Sequence, residues 1–237
     1  MLVIEDLHVH LGRSHVLQGV SLEARANEIT ALIGRNGVGK TTTLRAIMGL
    51  LRLSKGRVGW NGVDLASLST DRIVRRGLGW VPDRRGNFHT MSVLENLRVA
   101  YFGPAREWKS RLAYIYKMFP ILDERRHQMA GLLSGGQQQM LAIGKALITP
   151  RQFLLLDEPT QGLSPQVAHQ LLRTLMQLRK DGVGLILVEQ SLEAALSVSD
   201  HVLVMEKGTI KFAERRSETK LDTLVNLMGI SRHSATQ

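Results

Sequence analysis

The sequence predicts an α/β protein with a mostly parallel sheet at its core, an antiparallel β layer near the N-terminus and an inserted helical subdomain. Three observations carry this prediction. Short apolar runs of strand length are each followed by a turn and then by helical periodicity, the order expected of a buried parallel sheet. The first 25 residues instead hold strand-like pieces separated only by turns. Between about 84 and 150 the strand signals fade and helix signals dominate.

Taken in order, Leu2–Ile4, Leu7–His10 and Val16–Leu22 read as the short strands of the antiparallel layer. Ile29–Ile33 is an apolar strand leading into a glycine-rich turn, and Leu44, Ile47, Met48 and Leu51 then recur at helical spacing. Val58–Trp60 followed by Asn61-Gly62 is a hairpin signal, because that pair tolerates the positive φ of a tight turn. Phe153–Leu156 runs into Asp157-Glu158-Pro159. Ser164 and Pro165 supply an N-cap and a first helical residue for a helix periodic in Val167, Leu171, Leu172, Leu175 and Leu178. Leu185–Val188 precedes Glu189-Gln190-Ser191, and His201–Met205 ends at a Lys-Gly turn with Thr209–Phe212 as its hairpin partner. From Ser217 on, Leu221, Leu224 and Met228 share one face, and the polar end beyond them is expected to fray. The expected organisation is one domain over 1–237. Segments 1–83 and 151–237 form the core with its antiparallel layer, and 84–150 forms the helical subdomain.

Composition narrows the function. The chain has no cysteine, which excludes disulfides and thiolate metal sites. MLVIEDLHVHL carries acids and no long apolar core, so it does not read as a signal peptide. Runs such as FLLL and VLVM fall far short of the roughly 20 residues of a spanning helix, so no membrane crossing is expected. The net charge of +10 would suit nucleic acid, anionic lipid or phosphorylated ligands. The cations are scattered as short pairs without the interleaved aromatics of a single-strand binder. Direct nucleic-acid binding is therefore not expected. Solvated faces with attraction to a membrane surface, about 1 kcal/mol per nearby cation, fit better.

Two motifs carry chemistry. Gly34-Arg35-Asn36-Gly37-Val38-Gly39-Lys40-Thr41, with Thr42 following, lies between a predicted strand and a predicted helix. Its glycines let backbone N–H groups converge on phosphate, the helix N-terminus adds positive potential, and Lys40 reaches the β- and γ-phosphates. Thr41 offers a hydroxyl to Mg²⁺. The second motif ends an apolar strand in Asp157-Glu158, at the sheet edge where open α/β sheets bind ligands. Asp157 is suited to hold Mg²⁺ through water, and Glu158 to act as general base. Together these describe a P-loop NTPase that takes ATP and Mg²⁺.

A third stretch, LSGGQQQ at 133–139, narrows the fold further. Ser134, Gly135, Gly136 and Gln137 open a predicted helix and stand 157 − 134 = 23 residues before Asp157. With the phosphate loop and LLLDEPT at 154–160, this segment resembles the signature sequence of ABC-type ATPases, and the resemblance covers nearly the whole chain. It implies a head-to-tail dimer in which Ser134–Gln137 contact the ATP of the partner cassette. Four positions depart from the usual pattern. Asp83, in Val81-Pro82-Asp83, stands where many members carry a coupling glutamine. Gln190 stands where most carry a phosphate-gripping histidine, and Ser164 where most carry an aspartate. Leu11, with His10 beside it, takes the place of the adenine-stacking aromatic. This combination is similar to the second ATPase of branched-chain amino acid importers and their urea/amide relatives. The resemblance implies a second ATPase subunit (a homodimer being possible), two integral-membrane permeases and, indirectly, an external solute-binding protein. The place implied is the cytoplasmic side of the cell membrane. Rival readings are a urea or short-amide importer and a soluble ABC ATPase acting on ribosomes or nucleic acid. The latter usually needs two cassettes or a coiled-coil insertion that the sequence lacks.

Overall fold

The structure, a computed structural model, describes residues 1–229. In chain order the elements are β1 (Leu2–Leu11), β2 (Ser14–Ala24), β3 (Ile29–Ile33), α1 (Lys40–Ile47), β4 (Lys55–Trp60), β5 (Val63–Asp64), α2 (Thr70–Arg75) and β6 (Leu78–Val81). The helical stretch follows: α3 (Val93–Ala100), α4 (Trp108–Met118), α5 (Pro120–Glu124) and α6 (Gly135–Leu147). The chain then returns to the sheet with β7 (Phe153–Asp157), α7 (Pro165–Lys180), β8 (Gly184–Glu189), α8 (Leu192–Val198), β9 (His201–Glu206), β10 (Thr209–Arg215) and α9 (Leu221–Met228).

Two sheets result. The larger has the order β10-β9-β3-β8-β7-β6 and is parallel except for the β9–β10 hairpin. The smaller, β2-β1-β4-β5, is antiparallel throughout. The parallel strands read as largely apolar runs because both of their faces are covered. On β7, Phe153 and Leu155 join a core shared with β1, β2 and α1, while Leu154 and Leu156 face the opposite way. There they share one apolar cluster with Leu97, Ile115, Phe119, Leu141 and Ile143 of the helical stretch. A third cluster seats Leu192, Leu224 and Met228 against Ile33 and Val204. Trp60 from the small sheet meets Phe153 edge-on at 5.5 Å, tying the two sheets together.

Several local expectations need correction. The two pieces Leu2–Ile4 and Leu7–His10 form one strand; Asp6 (φ 47°) is a bulge that slips the alternation by one residue, so the pattern looks broken. The first helix stops before Leu51. Gly49 at φ 67° closes it, with Gly49 N–H donating to Ala46 O and Leu50 N–H to Arg45 O, a Schellman end. Ser164 holds the N-cap position ahead of Pro165, but its side chain makes no capping bond. The short elements β6, α2 and α8 carry too few periodic residues to be read from sequence. The Asn61-Gly62 hairpin forms, with Trp60 opposite Val63. The expected fraying of the polar end falls beyond the described residues. Among those described, no helix is long and apolar enough to cross a membrane.

The inter-sheet joint sets a test. Phe153→Ala should lower stability by about 3–5 kcal/mol, the cost of a buried aromatic cavity. Gly184→Ala should cost about 1–3 kcal/mol, because its Cβ would press into the Phe153 ring and lie 2.6 Å from Arg25 O. Urea unfolding of both variants checks this, and losses under 1 kcal/mol would contradict the packing described.

Candidate functional site

Strand order builds the site. β3 and β7 both pair with β8, with Ile33 opposite Glu189 and Asp157 opposite Val188, so their carboxyl ends share one edge. The loop leaving β3 needs its glycines for closeness as well as conformation. A Cβ on Gly34 would lie 2.5 Å from Met205 O, and one on Gly39 (φ 114°) 2.8 Å from the Leu17 side chain. Gly39 then opens α1, and Lys40 folds back to donate to Gly34 O at 2.7 Å and Arg35 O at 3.1 Å. Its ammonium is 3.4 Å from Glu158 Oε1. On the other oxygen, Glu158 Oε2 accepts a bond from Gln190 Nε2 at 2.6 Å. The Thr41 hydroxyl donates to Asp157 Oδ1 at 2.9 Å. A cleft of about 370 Å³ opens here, walled by Asn36, Gly37 and Lys40–Thr42 on one side and Asp83, Glu158 and Gln190 on the other. A second cleft of about 720 Å³ adjoins it through Asn36 and Gln190 and also takes in Arg35 and Val38.

Burial dominates the electrostatics. Asp157 is 1% exposed, and its pKa rises to about 6, chiefly through desolvation, with Asp83 and Glu158 adding to the rise and the Thr41 bond opposing it. Its Oδ2 is buried without a partner. An orphaned carboxylate oxygen beside a threonine hydroxyl is the donor set a Mg²⁺ ion would use, with phosphate and water supplying the rest. The residues therefore fit that ion. Among the described residues no group of three or more histidines or acids is arranged to hold a metal unaided. Glu158 adopts φ 49°, a left-handed backbone that costs a non-glycine residue on the order of 1 kcal/mol and turns its carboxylate over the cleft.

Sequence reasoning passed over Glu189. It is 2% exposed, and Oε1 accepts bonds from Thr160 N–H at 3.1 Å and Thr160 Oγ1 at 2.7 Å, fixing the turn after Glu158. Desolvation raises its pKa to about 7. A glutamate at the end of an otherwise apolar strand was the available signal.

The other expected residues lie elsewhere. Ser134–Gln137 line neither cleft. They form a capping box, with Gln137 N–H donating to Ser134 Oγ and Ser134 N–H to Gln137 Oε1. The next two glutamines are also employed: Gln138 Nε2 bonds Leu133 O, and Gln139 accepts from Arg85. A Cβ on Gly136 would lie 2.6 Å from Val167. His10 and Leu11 lie at the tip of β1, also outside both clefts. The His10 ring stacks on His15 at 4.2 Å and bonds Ser54, and Leu11 is 45% exposed.

The buried acids predict a pH dependence of folding. Glu189 has a folded pKa of about 7 against an ordinary 4.5, so the native state holds the proton more tightly. Its contribution is present below about pH 4.5 and is lost as pH rises through about 7. Asp157 acts in the same direction. Glu189→Gln keeps an oxygen acceptor for Thr160 and cannot ionise. Urea unfolding at pH 5.5 and pH 8, without nucleotide, should show a smaller loss of stability for the variant than for the parent.

Comparison with known proteins places this geometry. Residues 17–161 match the family model described as ABC transporter. The chain is 38% identical over 211 residues to the high-affinity branched-chain amino acid transport ATP-binding protein BraG of Pseudomonas aeruginosa, covering 89% of this chain and 91% of that protein. It is 36% identical over 200 residues to the probable branched-chain amino acid transport ATP-binding protein LivF of Archaeoglobus fulgidus, covering 84% and 85%. A crystal structure of a nucleotide-free ATP-binding cassette from an ABC transporter superposes with a TM-score of 0.84 at 25% identity, covering 100% and 97% of the two chains. The matched model runs from β2 past the strand-end carboxylates, and the relatives align over most of their own lengths: this chain belongs to the ABC transporter family.

Proposed function

We propose that this chain is the ATP-hydrolysing subunit of an importer for branched-chain amino acids, bound at the cytoplasmic side of a cell membrane. The observation that carries the reading is the placement of Glu158, held between the Lys40 ammonium and the Gln190 amide over the phosphate-loop cleft. The cargo is supported by the printed functions of BraG and LivF.

In this reading the amides of residues 34–42 and the Lys40 ammonium bind the phosphates. Thr41 and Asp157 would hold Mg²⁺, which supplies charge neutralisation to the β- and γ-phosphates. Glu158 takes a proton from the water that attacks the γ-phosphate. Gln190 positions that carboxylate and offers an uncharged donor, so it contributes less to phosphate than an imidazolium would. Leu11 and His10, at the tip of β1, cover adenine by apolar and stacking contact. Ser134–Gln137 face the nucleotide of a second ATPase subunit. Asp83 and the helical stretch around 84–130 couple the cleft to two permeases, which receive solute from an external binding protein.

Two variants test the roles. Glu158→Gln should lower steady-state ATP hydrolysis by two orders of magnitude or more in the complex with its permeases, while ATP binding stays intact. Undiminished turnover would refute the general-base role. Gln190→Ala should cost about tenfold, because a neutral positioning group contributes a smaller electrostatic share; equal losses in the two variants would overturn that ordering. ATPase stimulation in the reconstituted complex by leucine, isoleucine or valine, and not by urea, is the result expected for the cargo.

A further inference from the structure

Three histidines stand in a row near the turn that joins β1 to β2. His8 and His10 share the face of β1 opposite the buried Val9, and His15 of β2 lies directly across from His10. His8 Nδ1 and His15 Nε2 are 3.0 Å apart, a hydrogen bond between two rings. The His15 and His10 rings stack at 4.2 Å, 6° from parallel. Both ends of the row are tied down: His8 Nε2 bonds Asp6 Oδ1 at 2.9 Å, and His10 Nδ1 bonds Ser54 Oγ at 3.1 Å. The charged neighbours are Asp6 at the β1 bulge and Lys55 of β4, whose ammonium is 2.7 Å from Asp6 Oδ2. From β2, Gly19 leaves room for the Asp6–His8 pair, since a Cβ there would lie 3.0 Å from Asp6 Oδ1 and 3.5 Å from His8 Nε2.

Such a row responds to protons as a unit. A ring-to-ring hydrogen bond needs one nitrogen to donate and the other to accept, so His8 and His15 cannot both be charged while it lasts. The Asp6 carboxylate favours the first proton on His8. A charged His15 would then face His8 across that bond and lie flat against His10. Partial desolvation, followed by repulsion from His10 and His8, lowers the His15 pKa below the ordinary imidazole value, with the Leu17 backbone opposing. The row therefore accepts one proton readily and comes apart when more arrive, as pH falls below the ordinary imidazole value of about 6.5.

We propose that His8, His10 and His15 form a pH-sensitive catch that holds the tip of β1 in place for nucleotide and lets it go on acidification. The inference rests on the reading of His10 and Leu11 as the adenine cover, given under the proposed function, and adds a regulation to it. A fall in pH would loosen the hold on adenine and slow ATP use while the phosphate loop stays intact.

The test is equilibrium dialysis of the full chain at pH 7.5 and pH 5.5 with two probes. One is the non-hydrolysable analogue AMP-PNP; the other is tripolyphosphate, which has the phosphates without adenine. His15→Phe keeps a ring against His10 but cannot titrate. It should bind AMP-PNP within twofold of the parent at pH 7.5 and at least fivefold more tightly than the parent at pH 5.5. Its tripolyphosphate affinity should match the parent's at both. Equal AMP-PNP affinities at pH 5.5 would overturn the proposal, as would a gain that tripolyphosphate shares. NMR titration of the imidazoles gives a readout that needs no nucleotide: His8→Gln should move the His15 midpoint upward, and an unmoved midpoint also overturns the proposal. Leu11→Asp serves as the control on adenine. If it leaves AMP-PNP affinity at pH 7.5 unchanged, the adenine reading fails and this inference fails with it. A weakening there, with the same pH dependence in the parent and His15→Phe, sinks this inference alone.

Discussion

One buried ammonium faces several carboxylates at the end of the parallel sheet, and the site depends on that imbalance. Lys40 is 4% exposed and closest to Glu158, while Asp157 and Glu189 lie behind in the apolar sheet and Asp83 enters from the turn after β6. Water cannot screen these charges, so the structure answers in two ways. Asp157 and Glu189 bind protons more readily than ordinary carboxylates, and Glu158 is held between the Lys40 ammonium and the Gln190 amide. A triphosphate entering this cleft adds negative charge to an already acidic wall. Its welcome depends on the cation that the orphaned Asp157 oxygen and the Thr41 hydroxyl are suited to receive.

The fold explains how such a costly cluster can be maintained. Each parallel strand buries side chains on both faces, and the three clusters so formed hold the strand ends rigidly. The buried carboxylates stand at the last residue of β7 and of β8, where the apolar runs stop. Placing β8 between β3 and β7 brings Thr41 to Asp157 and Lys40 to Glu158 across a separation of more than a hundred residues in sequence. Helical packing then extends the same apolar core to α6. α6 and the strands that end at the cleft in this way share one apolar cluster.

What was legible in the sequence was whatever repeats a local rule. Ile29–Ile33, Phe153–Leu156 and Leu185–Val188 declare themselves because double burial leaves no charged residue in them, and Thr30 is their one polar side chain. The phosphate loop does so because close approach to Met205 O and Leu17 permits only glycine at 34 and 39. Features that depend on distant partners were hidden. The bulge at Asp6 breaks the period that would have joined two strand fragments. β6 is four residues long and contains a glycine, so it becomes a strand only by pairing with β7. The role of Glu189 depends on Thr160, 29 residues away, and Arg85 finds its partner Gln139 only across 54 residues of chain.

The two glycines of the signature do not stand in equivalent surroundings. A methyl group at Gly136 would drive into Val167 and force α6 and α7 apart, whereas at Gly135 the nearest atoms are the Arg85 guanidinium nitrogens at 3.6 and 3.7 Å, an ordinary contact. Loss of activity on substituting 136 would therefore combine a lesion in helix packing with any lesion in recognition, and the two could not be separated at that position. Position 135 is where the chemistry of the segment can be altered while its scaffold is left alone. The pair thus divides one short motif into a packing contact at 136 and a more open position at 135.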